Sequence, residues 1–412
     1  MNAKNLVSPY SLALISLFIF IVAWVFPPSL YTYYIPEPDR MFLDFTLIVY
    51  YLLCVTGFVV GVSLFIKIRH FKYLHAYSLT VTSPLIFIAT PLLISTALCG
   101  AFLIYVSATI PNLRELLSSE SGNFSRGITS TGIWHYALTV QSGVVWWAAR
   151  RANQLRLHNL AYQVIWIFGF VLAIITCIVR LDRSNLMPLI VGAALIYLYN
   201  RADKDNVSLL KLARSAAYMA GGTLLLFLAI FVMRGAGHIG LLISGLIGYS
   251  LASYNRLASV LGGSLHYTYA GSGIYLAPFL SYSTSLPFHT WVGGATPSMV
   301  MSTEFLDVHA AGLTAAFNWS SVFGYIFADI GWWTPLYMVV IGLLTGWLWQ
   351  NFRKGTIWGV VLYPWFAFSI LFWFGTNQMF EVHVVILIFV AAILWFYESL
   401  FLYRESSEPD LT

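Results

Sequence analysis

Residues 159–183 read NLAYQVIWIFGFVLAIITCIVRLDR. No residue from Leu160 to Val179 carries a charge, and three charges then fall between Arg180 and Arg183. A helix of that length rises about 30 Å, the depth of a bilayer's hydrocarbon core. The run does not alternate with a period of two, so it does not read as a barrel strand. In lipid every backbone amide must be paired within the segment, which leaves a helix.

Similar runs recur along the chain. Its 412 residues are 59% hydrophobic and 9% charged, with a mean hydropathy of +0.78. A soluble domain carries roughly a quarter charged residues, so this chain lacks the polar surface that water requires. The pattern predicts an all-α polytopic membrane protein of about ten transmembrane helices. They fall at 8–27, 43–66, 79–107, 133–149, 159–179, 184–200, 215–233, 321–350, 357–375 and 383–402. The chain reads as one transmembrane domain, 1–412, with a large periplasmic or re-entrant loop region at 234–320. Within that region Ile239–Tyr249 and Ile274–Leu280 are apolar but too short to cross, so they are expected in the interface or re-entering it. The first run, Ser8 to Phe26, ends in Pro27-Pro28 without a small-x-small cleavage site, so it reads as a retained helix.

Ten spans put both termini on one side, and the basic residues choose the side. With cytoplasmic termini, 14 of the 21 basic residues fall inside: Lys4, Lys67, Arg69, Lys72, Arg150, Arg151, Arg156, Arg201, Lys204, Lys211, Arg214, Arg353, Lys354 and Arg404. Outside lie Arg40, Arg114, Arg126, Arg180, Arg183, Arg234 and Arg256. This bias orients the chain. It also explains the net charge of +5 without a nucleic-acid partner, because the basic residues are scattered through short loops. All six lysines are inside, and every basic residue outside is an arginine, whose planar fork can hold a phosphate through two bonds.

Several apparent motifs carry no chemistry. Gly235-Ala-Gly-His-Ile-Gly240 matches a dinucleotide fingerprint, but it follows a membrane helix instead of a strand in a parallel sheet. Asp203-Lys-Asp205 has a metal-binding spacing, yet it sits in a short loop with no nucleotide-binding domain around it. Cys54, Cys99 and Cys177 lie in apolar runs, and none of the nine histidines has zinc spacing. No metal or cofactor is expected.

Charges that recur at one membrane level are more informative. Arg180-Leu-Asp182-Arg183-Ser-Asn185 joins two spans, and the next span ends in Met233-Arg234-Gly235. Charges at this depth are costly unless they face a cavity or a partner; Asp182 or lipid headgroups would also satisfy them. A later span opens with Tyr325-Ile-Phe-Ala-Asp329-Ile-Gly331. The outer loop adds Glu304, Asp307 and His309, and the aromatic residues Tyr267, Tyr269, Tyr275, Tyr282 and Trp291. Those aromatics suit either an interface or stacking on sugar rings.

Asp182-Arg-Ser-Asn-Leu186 before one span, Arg234-Gly235 after the next and the Tyr-x-x-x-Asp-x-Gly segment at 325–331 resemble the oligosaccharide repeat-unit polymerases, the Wzy-type O-antigen polymerases. In residues the resemblance is confined to about 180–350, and it extends to the topology. An Arg-x10-Gly loop motif of some members is missing, because counting on from Arg256 reaches Tyr267. The resemblance implies a metal-independent glycosyltransferase of a bacterial inner membrane, acting on its periplasmic face. It would move a growing glycan from undecaprenyl pyrophosphate onto a newly flipped lipid-linked repeat unit. An O-antigen ligase and a lipid-linked oligosaccharide flippase are the alternatives. Lipid-linked glycans, membrane lipids and a chain-length regulator are the expected partners. Arg180, Arg183, Arg234 and Arg256 are the expected pyrophosphate ligands. His309 is the expected base and Asp329 the organiser of a guanidinium, with Glu304 and Asp307 as further candidates for the base.

Overall fold

Ser8 and Pro9 start the first long helix. Ser8 Oγ accepts from the Ser11 amide, and Pro9 occupies the first helical position, where no amide partner is needed. Helix α1 then runs Pro9–Trp24, and the proline pair after it turns the chain by 90° into α2, Pro28–Tyr34. The computed structural model describes residues 3–41, 45–68, 81, 83–109, 136–157, 159–179, 182–202, 208–233, 239–282, 295–315 and 317–401. Every regular element among them is helical.

The helices that follow are α3 (Phe45–Ile68), α4 (Pro84–Thr109), α5 (Ala137–Gln154), α6 (Leu160–Val179) and α7 (Arg183–Ala202). Next come α8 (Leu209–Met233), α9 (Ile239–Leu261), α10 (Pro297–Ala310) and α11 (Ser321–Ile330). The last are α12 (Thr334–Lys354), α13 (Ile357–Leu371) and α14 (Val382–Phe401). By length and composition five spans are apolar enough to cross a membrane: α3, α4, α6, α14, and α11 with α12 taken through the short turn Gly331–Trp333. The bent pair α1–α2 makes a sixth if it counts as one span. The expected spans at 133–149, 184–200, 215–233 and 357–375 coincide with α5, α7, α8 and α13, which are outside that count. Helix α13 is apolar but has only 15 residues, and α5 carries Arg150 and Arg151.

Helix α6 has the inside-out pattern of a lipid-facing helix. Its buried residues are Gly169, Ala173, Thr176 and Cys177, while Val164, Ile167, Phe168 and Ile175 are exposed. Small residues let helices approach closely where lipid removes any hydrophobic preference for the interior. The same device joins α3 to α12. A methyl group on Gly57 would overlap the Pro335 carbonyl oxygen, and one on Gly61 would overlap that of Val339. From the other side, Gly342 lies against the Phe58 carbonyl and Gly346 against Val62 and Phe65. Contacts advance in step along both helices, so α3 and α12 run parallel. Lys67 and the pair Arg353–Lys354 therefore end them on the same side.

Arg150 and Arg151 are not in a loop, as the charge count assumed, but in the last turns of α5 and buried. Arg151 Nε and Nη2 donate to Glu398 on α14 at 2.5 and 2.8 Å, and its Nη1 donates to the Gly355 carbonyl at 2.7 Å. Arg150 donates to Asn200 at 2.7 Å and lies 4.6 Å over the Tyr199 ring. Fixed partners of this kind make buried charge tolerable.

The 239–249 segment also differs from expectation. It is the first half of α9, a 23-residue helix, and residues 251–260 are all buried. Ser253, Asn255, Arg256 and Ser259 break the apolar pattern that would otherwise have extended the helix in the sequence. The 274–280 segment is a series of tight turns, and Ile274 and Tyr275 enter a small second core with Leu265, Tyr267, Val308 and Tyr325.

Candidate functional site

The second core belongs to a cap built from the α9–α10 connection, α10 and the start of α11. Thr296 Oγ1 accepts from the Met299 amide and Pro297 opens α10, so this helix starts at a fixed point. Two carboxylates then hold the turns between Thr268 and Leu276. Asp307 accepts from the Thr268 amide and hydroxyl, both at 2.8 Å. Asp329 accepts from four amides: Gly271 at 3.0 Å and Gly273 at 3.2 Å on Oδ1, and Tyr275 at 2.8 Å and Leu276 at 3.0 Å on Oδ2. Gly271 and Gly273 have φ of +79° and +82°, which a side chain would resist, and this lets successive amides turn toward one carboxylate. Asp329 is thus an organiser, but of backbone amides and not of an arginine.

Glu304 faces inward from α10. Its Oε2 accepts from Asn318 Nδ2 at 2.9 Å and from the Tyr325 hydroxyl at 3.2 Å. Tyr267, Tyr275 and Tyr325 pack ring against ring beside it, with centroids 5.0–5.5 Å apart. No cation pairs with Glu304 among the described residues. Burial pushes its carboxyl up to about 8, because neutral donors only partly replace water and Asp307 adds a like charge. The Tyr275 hydroxyl is buried without a hydrogen-bond partner among the described residues, and burial and then the charge of Glu304 hold it well above the ordinary phenol range.

Arg256 is taken. It is fully buried, its Nη1 and Nη2 each donate to Glu37 at 2.9 Å, and the same nitrogens donate to the Ala252 and Thr314 carbonyls at 2.8 Å. Glu37 also accepts from Tyr31, from Asn255 at 3.0 Å and from the Thr314 amide at 2.7 Å. Burial alone would raise the Glu37 carboxyl; the Arg256 charge and these donors outweigh it and leave it below the ordinary value. The fork expected to grip a pyrophosphate instead ties the α2–α3 connection to α9 and to the turn after α10. Sequence reasoning missed Glu37. Its one signal was a lone acid between prolines, Pro36-Glu37-Pro38, ahead of a span.

The chain matches no family model, no curated protein and no solved structure.

The other expected site residues are dispersed. His309 is exposed on the last turn of α10, on a different face from Glu304. Arg180 and Arg234 lie outside the described residues; Arg183 opens α7, and its side chain is likewise outside them. Asp182 accepts from Ser184 Oγ at 2.6 Å and from the Asn185 amide and side chain at 3.2 and 2.9 Å, so it caps α7. Asn185 in turn accepts from Thr139 on α5 at 3.0 Å. In the loop, Tyr267 and Tyr275 are buried and each stacks on the Tyr325 ring, and Tyr269 is half-buried; Trp291 lies outside the described residues. Among the described residues no group of three or more His, Cys, Asp or Glu side chains is placed to hold a metal.

Proposed function

We propose that the protein is an oligosaccharide repeat-unit polymerase of a bacterial inner membrane. It joins undecaprenyl-pyrophosphate-linked repeat units into a surface polysaccharide such as O-antigen, at the periplasmic face and without a metal. The observation that carries this reading is the ordered cap at one end of a bundle of apolar helices. The cap holds Glu304, Asp307, His309 and Asp329. That is the end where α3 and α12 begin, opposite Lys67, Arg353 and Lys354, the side that the positive-inside rule assigns to the cytoplasm. In this topology α1, α3 to α8, α11–α12, α13 and α14 make ten crossings, and both termini are cytoplasmic.

Transfer from a polyprenyl pyrophosphate needs a groove for the lipid, cations for the developing pyrophosphate charge and a proton acceptor for the attacking sugar hydroxyl. For the first, exposed apolar helix faces such as that of α6 give the lipid a surface to lie on. Arg180, Arg183 and Arg234 are assigned the second, and Arg256 is withdrawn because Glu37 occupies it. The test is the surface glycan of a deletion strain. A single repeat unit on the lipid anchor is expected. Polymer left on the carrier, with none on the core, would instead identify a ligase. Loss of both would point to a flippase.

A further inference from the structure

One acceptor and one donor in the cap lie within each other's field, and neither is bonded among the described residues. Glu304 accepts both of its hydrogen bonds on Oε2, so among the described residues Oε1 has no partner. The Tyr275 hydroxyl, on a residue 5% exposed, also has none. Native interiors rarely leave a buried hydroxyl such as that of Tyr275 unpaired, and an unbonded carboxylate oxygen on the same cluster gives a ligand a second point of attachment. Their chemistry is complementary to a single alcohol. A ligand hydroxyl would donate to the carboxylate oxygen and accept from the phenol, whereas a phosphate would find no cation paired with Glu304 among the described residues. Tyr325 and Asn318 fix the carboxylate from its other oxygen, and the stacked rings of Tyr267, Tyr275 and Tyr325 hold the phenol in place.

We propose that Glu304 and Tyr275 form the acceptor-sugar site, and that Glu304 Oε1, rather than His309, takes the proton of the attacking hydroxyl. This rests on the polymerase reading. As the sugar oxygen forms its bond to the anomeric carbon of the donor glycan, its O–H bond breaks toward Glu304. The anomeric carbon–oxygen bond breaks with it, and that electron pair leaves on the undecaprenyl pyrophosphate. Asp329 and Asp307 are positioning residues, because they hold the turns that carry Tyr275. Among the described residues, the charged and titratable groups around Glu304 are Asp307 on its own helix, Tyr325 on α11, Tyr267 and Tyr275 on the held turns, and Arg256 on α9 beyond Tyr267. A carboxylate in this setting is a stronger base than one in water, and its rate should climb with pH until about 8.

The test uses the purified full chain in proteoliposomes with undecaprenyl-pyrophosphate-linked repeat units extracted from the deletion strain, and reads the polymer ladder. Wild-type protein should give a ladder. Glu304→Gln keeps an acceptor for Asn318 and Tyr325, and should slow polymerisation by about 100-fold or more. Tyr275→Phe removes a hydroxyl that bonds to nothing among the described residues, so a purely structural role would leave activity intact; the proposal requires a loss of roughly tenfold. A normal ladder from Glu304→Gln overturns the assignment and leaves the polymerase reading standing. Loss of the ladder only in His309→Ala would move the proton to His309 and overturn it too. A wild-type protein that joins no repeat units overturns both.

Discussion

Glu37 and Glu304 are both buried carboxylates, and what faces each one decides its sign. Glu37 meets a guanidinium and is held below the ordinary carboxyl value, so it stabilises the fold above the unfolded value and ceases to as pH falls through the folded one. Glu304 meets neutral donors and sits near 8, so it is tolerated while protonated and costs increasing stability as pH rises from the unfolded value to about 8. The two glutamine variants should therefore move in opposite directions. Glu37→Gln is expected to lower the unfolding temperature at neutral pH, since breaking a buried pair costs about 3–5 kcal/mol, with the difference closing in acid. Glu304→Gln is expected to raise it most above about pH 8, with the difference closing toward pH 5. Thermal unfolding of the purified protein in detergent across that range checks both. No composition or spacing rule separates these two residues in the sequence, because the difference lies in Arg256 and Asn318, far along the chain from their partners or on another element.

At the scale of elements, apolar length was legible and polar burial was not. The runs at 43–66, 79–107, 159–179 and 383–402 return as α3, α4, α6 and α14 with ends moved by a few residues. Helix α9 was cut short because Asn255 and Arg256 look like an end when their partners are unseen. Asp329 is expected from the sequence to orient a guanidinium, yet its partners are amides, which no side-chain motif announces. Glycines likewise have two meanings that the sequence does not distinguish. Gly61→Ala puts a methyl against the backbone of α12 and should cost about 1–3 kcal/mol. Gly221→Ala, on α8 with nothing within 4 Å of the added carbon, should gain about 1 kcal/mol from helix propensity. Unfolding temperatures falling for the first and rising for the second would support the packing described for each.

For the whole molecule, the charge count predicts an orientation even though some of its charges are buried and not in loops. Arg150 and Arg151 count as loop residues in that reading, yet they sit on the same end as Arg353 and Lys354, with Arg151 bonded to Glu398 and Gly355 and Arg150 to Asn200. The orientation can be checked with single cysteines at exposed positions, since Cys54, Cys99 and Cys177 are all buried. Ser264→Cys in intact cells should react with a membrane-impermeant maleimide, and Lys354→Cys should react only after permeabilisation. Labelling of both from the same side would reverse or dissolve the topology, and with it the placement of the cap.

The glycine seam between α3 and α12 also sets a timetable for synthesis. Residue 334 leaves the ribosome long after residue 68, on the order of ten seconds to a minute later at ordinary elongation rates. Throughout that interval Gly57 and Gly61 have no partner backbone, and α3 waits in the bilayer with a notched side turned to lipid. The newborn chain is thus threaded early but closed late. A ribosome that stalls anywhere before Thr334 releases a product whose third helix has α1 beside it but its glycine face uncovered, and a membrane quality-control protease would find it there.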